Sequence, residues 1–187
     1  MRLVKDVTQD EVWSHWFRIE RNESYKSLTG QILDQEVKQW RSEIKRPLPP
    51  DICWHEAVIE QGDVGSLFNI SSDDWADISR NNFLANSVAD NLDAAFSDKD
   101  SLRISSDIKR KLSFLERGGT LDTQLIIVAD KVTGPFTIIE GNRRSVALLR
   151  RNELVGTVVY IGISRNMTDF CWSRYSYRSD TANKELT

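Results

Sequence analysis

The chain has 187 residues, 40% hydrophobic and 28% charged, enough apolar material for one ordinary domain and a composition that excludes disorder. With 4 Pro and 9 Gly, fibrous and low-complexity classes are excluded, and no apolar run approaches the roughly 18 residues of a membrane-spanning helix. The net charge of −3 hides an asymmetry: residues 1–100 hold 11 Lys and Arg against 19 Asp and Glu, and residues 101–187 hold 14 against 9.

Met1-Arg2-Leu3-Val4-Lys5-Asp6 lacks the apolar stretch of a signal peptide, so a cytoplasmic location is expected. Thr8-Gln9-Asp10-Glu11 has capping-box spacing and introduces Val12, Trp13, Trp16, Phe17 and Ile19 on one face of a helix running to about Ser27. That aromatic stripe reads as packing. A second helix is expected over 31–45, stopped by Pro47-Leu48-Pro49-Pro50. These features predict a helical appendage over 1–46 and a main domain over 51–165, with 166–187 as a docked or loose tail.

Residues 52–60 read as a strand, broken by Gly62-Asp63-Val64-Gly65 and followed by a short helical piece. Ser72-Asp73-Asp74-Trp75 looks like an N-cap entering a helical turn. Helices are expected over 82–96 and over 106–117, the latter capped by Ser105 or Ser106 and closed by Gly118-Gly119. Leu125–Ala129 and Phe136–Glu140 form the strands of a hairpin, residues 143–151 a helix, and 155–163 a last strand. The composite is α+β with a small mixed sheet. Cys53 and Cys171 lie too far apart in sequence for a short-spacing metal site and read as core thiols rather than a disulfide.

Chemistry concentrates at Ile138-Ile139-Glu140-Gly141-Asn142-Arg143-Arg144-Ser145. A strand ends, a glycine permits a tight turn, and a helix begins with free N–H groups at its positive end. Two adjacent arginines add planar donors suited to phosphate oxygens. Glu140 beside them could bind a metal, orient water or pair with an arginine. Two readings stay open: a phosphate site, or a structural Glu–Arg network.

Gly-Asn-Arg-Arg after an apolar hairpin, leading into a small-residue helix, resembles the signature of the ParB/sulfiredoxin superfamily. The resemblance covers about 125–163 and extends more loosely back to Trp54. It implies a ParB/sulfiredoxin-like fold in which Gly141, Asn142, Arg143 and Arg144 bind nucleotide phosphates. Asn142 stands where sulfiredoxins carry their cysteine, so a sulfiredoxin-type reduction lacks its nucleophile. About 40 residues follow the box, too few for the further domains of partition proteins. The chain is therefore most similar to the short, stand-alone ParB-like nucleases and to plasmid fertility-inhibition proteins of the Osa type. That resemblance implies ATP hydrolysis and DNA cleavage directed against conjugative transfer, with a type IV secretion or relaxosome component as partner.

On this reading Arg143 and Arg144 hold phosphates, Asn142 positions them, and Glu140 holds a metal or activates water. No Walker A sequence is present, so ATP must use the Gly141 turn, with Mg2+ helping to neutralise the phosphates. Asp73 and Asp74, with Glu60, could ligate that ion; capping a helix is the plainer role for such a pair. His55 and Glu56 lack the second histidine of a zinc site. The basic second half is expected to contact DNA locally, since an acidic chain is a poor non-specific binder; solvated faces of opposite sign are the plain alternative. The rival class is a non-enzymatic protein that blocks a transfer or partition complex through its acidic half.

Overall fold

Thr8 and Glu11 close the capping box that their spacing predicts. Thr8 Oγ1 accepts from the Glu11 N–H at 3.2 Å, and Glu11 Oε2 accepts from the Thr8 N–H at 2.6 Å. The helix they start, α1 (Gln9–Glu23), is preceded by a strand, β1 (Arg2–Val7), that the sequence does not announce. This computed structural model describes residues 1–23 and 48–167. The expected helix over 31–45, Pro47, Cys171 and the tail after Met167 lie outside the described residues.

The remaining strands are β2 (Cys53–Val58), β3 (Leu67–Phe68), β4 (Ile126–Ala129), β5 (Phe136–Glu140) and β6 (Val158–Ile163). The helices are α2 (Asp73–Ala76), α3 (Ala85–Asn91), α4 (Lys99–Glu116) and α5 (Asn142–Arg150), with a 3-10 turn over Gln61–Ser66. Together they form an α+β fold on a six-stranded mixed sheet, ordered β1-β2-β6-β4-β5-β3. Pairing is antiparallel for β1/β2, β2/β6 and β4/β5, and parallel for β4/β6 and β3/β5. Among the described residues no helix is long and apolar enough to cross a membrane.

Both faces of the sheet are covered, so its centre reads as an unbroken apolar run rather than as an alternation. Ile126 and Val128 of β4 meet Val12, Trp13 and Trp16 of α1, while Ile127 and Ala129 meet Leu148 of α5 and Ala85 of α3. Val146 and Ala147 on α5 join a second apolar cluster with Ile104 and Ile108 of α4. Helix α5 is thus held between the sheet and α4.

Several expectations change for identifiable reasons. The first 23 residues are not an appendage: β1 continues the sheet beside β2, and α1 seals one of its faces. Five of the six β1 residues are exposed, so no period-2 pattern marks the strand. Helix α4 starts at Lys99, with Asp98 as its cap accepting from the Ser101 N–H at 2.8 Å. Ser105 does not cap; it is buried inside the helix and donates to the Leu92 carbonyl at 3.0 Å. Serines there keep α4 close to the segment after α3. Helix α3 runs over Ala85–Asn91 rather than 82–96; it starts late because Phe83 has a positive φ, which a right-handed helix excludes. Cys53 is exposed at the start of β2, so it is not a core thiol.

Trp13 stacks on Trp16 at 5.1 Å and meets Trp54 edge-on at 6.0 Å, with Trp13 and Trp16 each 1% exposed. Trp13→Ala should therefore cost about 3–5 kcal/mol through the lost contacts and the cavity left behind. A shift in the denaturant midpoint of the whole unfolding transition measures it. A separate early transition would be the mark of an independent appendage.

Candidate functional site

Strand β5 and its parallel neighbour β3 run out of the sheet at the same edge. Their following segments, 141–144 and 69–72, therefore lie side by side, at the carboxyl ends of strands where α/β sheets offer a crevice. Gly141 takes φ 90, and a Cβ there would come within 2.5 Å of Leu125 Cδ2. Only glycine suits both the conformation and the space. The first intrahelical bond of α5 runs from the Ser145 N–H to the Gly141 carbonyl at 2.8 Å. The N–H groups of residues 142–144 precede that ladder, and no side chain caps them.

Asn142 turns back into the protein. Its Oδ1 accepts from Asn69 Nδ2 at 2.9 Å and from the Ile70 N–H at 3.1 Å, which ties the two segments together. Asn142 is expected to position phosphates; here its side-chain oxygen is engaged by the 69–72 loop instead. In that loop, Asn69 Oδ1 and the Ser71 hydroxyl are buried without a hydrogen-bond partner. Orphaned polar atoms carry a desolvation cost that an arriving ligand or water can relieve.

The two arginines separate. Arg144, expected to hold phosphate, is 2% exposed. Its guanidinium donates to the Asp122 carbonyl at 2.8 Å and to Glu140 Oε1 at 3.1 Å. Here the structural Glu–Arg network is what forms, and the Arg144 guanidinium is committed to it. Glu140, expected to be catalytic, accepts from this guanidinium. Arg143, one residue earlier on the helix, has a side chain 34% exposed. Its Nε has no hydrogen-bond partner and lies 3.5 Å from Asp107 Oδ2 on α4.

Behind Arg144 lies a network that sequence reasoning missed. His15 Nε2 is 3.0 Å from the Gln124 carbonyl, and Arg18 approaches Nδ1 at 2.8 Å. A guanidinium only donates, so Nδ1 accepts and Nε2 carries the proton. Burial pushes the His15 pKa below 6.5, against the opposing pull of the Gln124 carbonyl and Asp122. No local signal marks His15: it sits among tryptophans on a helix that reads as core.

Of the acidic residues weighed for a metal site, Asp74 and Glu60 lie near cations. Asp74 lies 3.4 Å from Arg103, and Glu60 lies 3.8 Å from Arg2 Nε. Asp73 begins α2, and its side chain lies outside the described part. Ser72 occupies the cap position of α2 without a side-chain hydrogen bond. Among the described residues no three His, Cys, Asp or Glu side chains gather as a metal-ligand group.

No family model, curated protein or solved structure matches the chain.

Two outcomes follow from the buried network. Arg144→Ala leaves Glu140 without its guanidinium and opens a cavity beside Leu125, and should lower stability by about 2–4 kcal/mol in chemical denaturation. His15 is held neutral, so the unfolded chain takes up its proton first as pH falls through about 6.5. Its contribution to stability is complete above that pH and is lost on acidification. The melting temperature should therefore drop from pH 7.5 to 5.5, and less so in His15→Gln.

Proposed function

We propose that the chain binds a nucleotide by its phosphates at the Gly141–Arg143 turn and acts on DNA. The observation that carries this reading is the uncapped first turn of α5. The N–H groups of residues 142–144 precede the helical ladder, the Arg143 side chain beside them is partly exposed, and the adjoining 69–72 loop carries the unpartnered Ser71 hydroxyl. Those donors suit tetrahedral oxyanions in both charge and number. Arg143 can turn from Asp107 to a phosphate at small cost, because a partly exposed ion pair is worth little. Arg144 and Asn142 then act as positioning residues: one fixes the turn from inside, the other fixes the neighbouring loop.

The finer reading rests on the resemblance of Gly141-Asn142-Arg143-Arg144 to the ParB/sulfiredoxin box. On it, the nucleotide is ATP, the activity is a DNase and ATPase, and the biological effect is inhibition of conjugative DNA transfer through type IV secretion. The described carboxylates do not suit a magnesium set at this turn, since Glu140 and Asp74 each face a guanidinium. Magnesium arriving with ATP would take its ligands from phosphate oxygens and water.

The Glu140–Arg144 pair also favours a second reading, in which the chain keeps the phosphate site and blocks a DNA-transfer or partition complex without hydrolysis. Glu140→Gln separates the two. Loss of ATP turnover at an unchanged melting temperature supports the enzyme. Unchanged turnover, or none in the parent, with a lowered melting temperature makes Glu140 a structural partner. Under either reading Arg143→Ala should weaken ATP binding about tenfold in calorimetry, with an unchanged melting temperature. ATP binding equal to the parent's would place the nucleotide elsewhere.

A further inference from the structure

We propose that the solvent face of α4 is a docking strip for single-stranded nucleic acid, leading it towards the α5 turn; this rests on the reading of the chain as one that acts on DNA. An α-helix advances 100° per residue, so Lys99, Arg103, Arg110, Phe114 and Arg117 fall in one stripe about 60° wide. All five are exposed, and Ser106 and Ser113, which border the stripe, are exposed as well. The opposite face is the one committed to the core, through Ile104, Ile108 and Leu115.

At about 1.5 Å rise per residue, the four cations are spaced by about 6 Å and then by about 10 Å, over about 27 Å of helix. No carboxylate of α4 lies within the stripe. Asp100 and Asp107 sit beside it and pair laterally with Arg103 and Arg110. Arg103 is exposed in both of its pairs, with Asp100 and with Asp74, and Arg110 is 75% exposed against a partly buried Asp107. Pairs with so exposed a cation are weak, so phosphate oxygens can replace the carboxylates. Asp107 also lies 3.5 Å from Arg143 Nε, which makes the edge of the stripe contiguous with the α5 turn.

Phe114 decides the class of polyanion. It is 44% exposed in the stripe, with Arg110 one turn before it and Arg117 one turn after. Its ring leans on Gly119, where an added Cβ would stand 2.5 Å from Phe114 Cε1. An exposed ring between two guanidiniums offers a base a surface to stack on and gives its flanking phosphates their counter-charges. A duplex cannot use the ring in this way, because its base faces are already stacked on one another. An acidic protein segment would use the cations and leave Phe114 idle.

The test is fluorescence anisotropy of labelled oligothymidylate with the whole chain across a salt series. The parent should bind at low salt, with affinity falling as salt rises by a slope of about 0.7 per phosphate neutralised. Arg110→Gln and Arg117→Gln should each reduce that slope. Phe114→Leu, which keeps an apolar contact with Gly119, should weaken binding about tenfold at unchanged melting temperature, and Phe114→Tyr should restore it. Phe114→Leu should leave ATP binding in calorimetry at the parent's level, so failure at the turn and failure at the strip are distinguishable. Parent-like oligothymidylate binding by Phe114→Leu would overturn the proposal. So would equal affinity for a duplex, equal competition by polyglutamate, or no binding by the parent at low salt.

Discussion

Arg144 carries a charge that cannot be shed, in a place that water does not reach. Burying a guanidinium is tolerable only where acceptors meet it with good geometry. Those acceptors come from two places besides its own helix: Glu140 at the end of β5 and the Asp122 carbonyl in the segment before β4. The segment that supplies Asp122 also supplies the Gln124 carbonyl to His15, so α1 is tied into the same corner. One side chain thereby fixes the exit of a strand, the start of a helix and the loop that faces both. The left-handed Gly141 fits within that arrangement: a larger residue would collide with Leu125 and crowd Arg144.

That commitment sets what remains for chemistry. With Arg144 turned inward and Asn142 bonded to the neighbouring loop, the turn keeps backbone donors without a side-chain cap and a partly exposed Arg143. The sheet makes this presentation possible. A parallel pair only two residues long, β3 on β5, delivers the 69–72 loop beside the start of α5. The cost of that delivery is visible as unpartnered polar atoms on Asn69 and Ser71. Sites that bind ligands commonly keep such unsatisfied groups.

The charge asymmetry of the chain is resolved in space rather than along the sequence. Arg103 faces Asp74, and Lys109 and Arg150 both face Asp93, so cations of the second half lie against carboxylates of the first. Being exposed, these pairs contribute little to stability and leave the cations accessible to a stronger anion. Helix α4 adds a local concentration of exposed cations, with Phe114 among them, that the net charge does not reveal.

Features set by neighbours along the chain are legible in the amino-acid sequence itself. The Thr8–Glu11 box, the 126–129 and 136–140 hairpin, the Gly118 stop and the strand–Gly141–helix corner each depend on a few adjacent residues and local backbone chemistry. The coarse α+β class follows from them. Tertiary structure decided what depends on partners distant in the chain. Strand β1 exists through pairing with β2 and carries no alternation of its own; α4 is capped as early as Asp98 because buried Ser101 and Ser105 belong to the helix. The same holds at the site. Adjacent arginines are alike in sequence, but helix geometry points them about 100° apart, one towards Glu140 and the other towards Asp107. Sequence determined that a positively charged turn would stand at the end of β5; only packing determined which arginine is buried against Glu140 and which stays partly exposed beside Asp107.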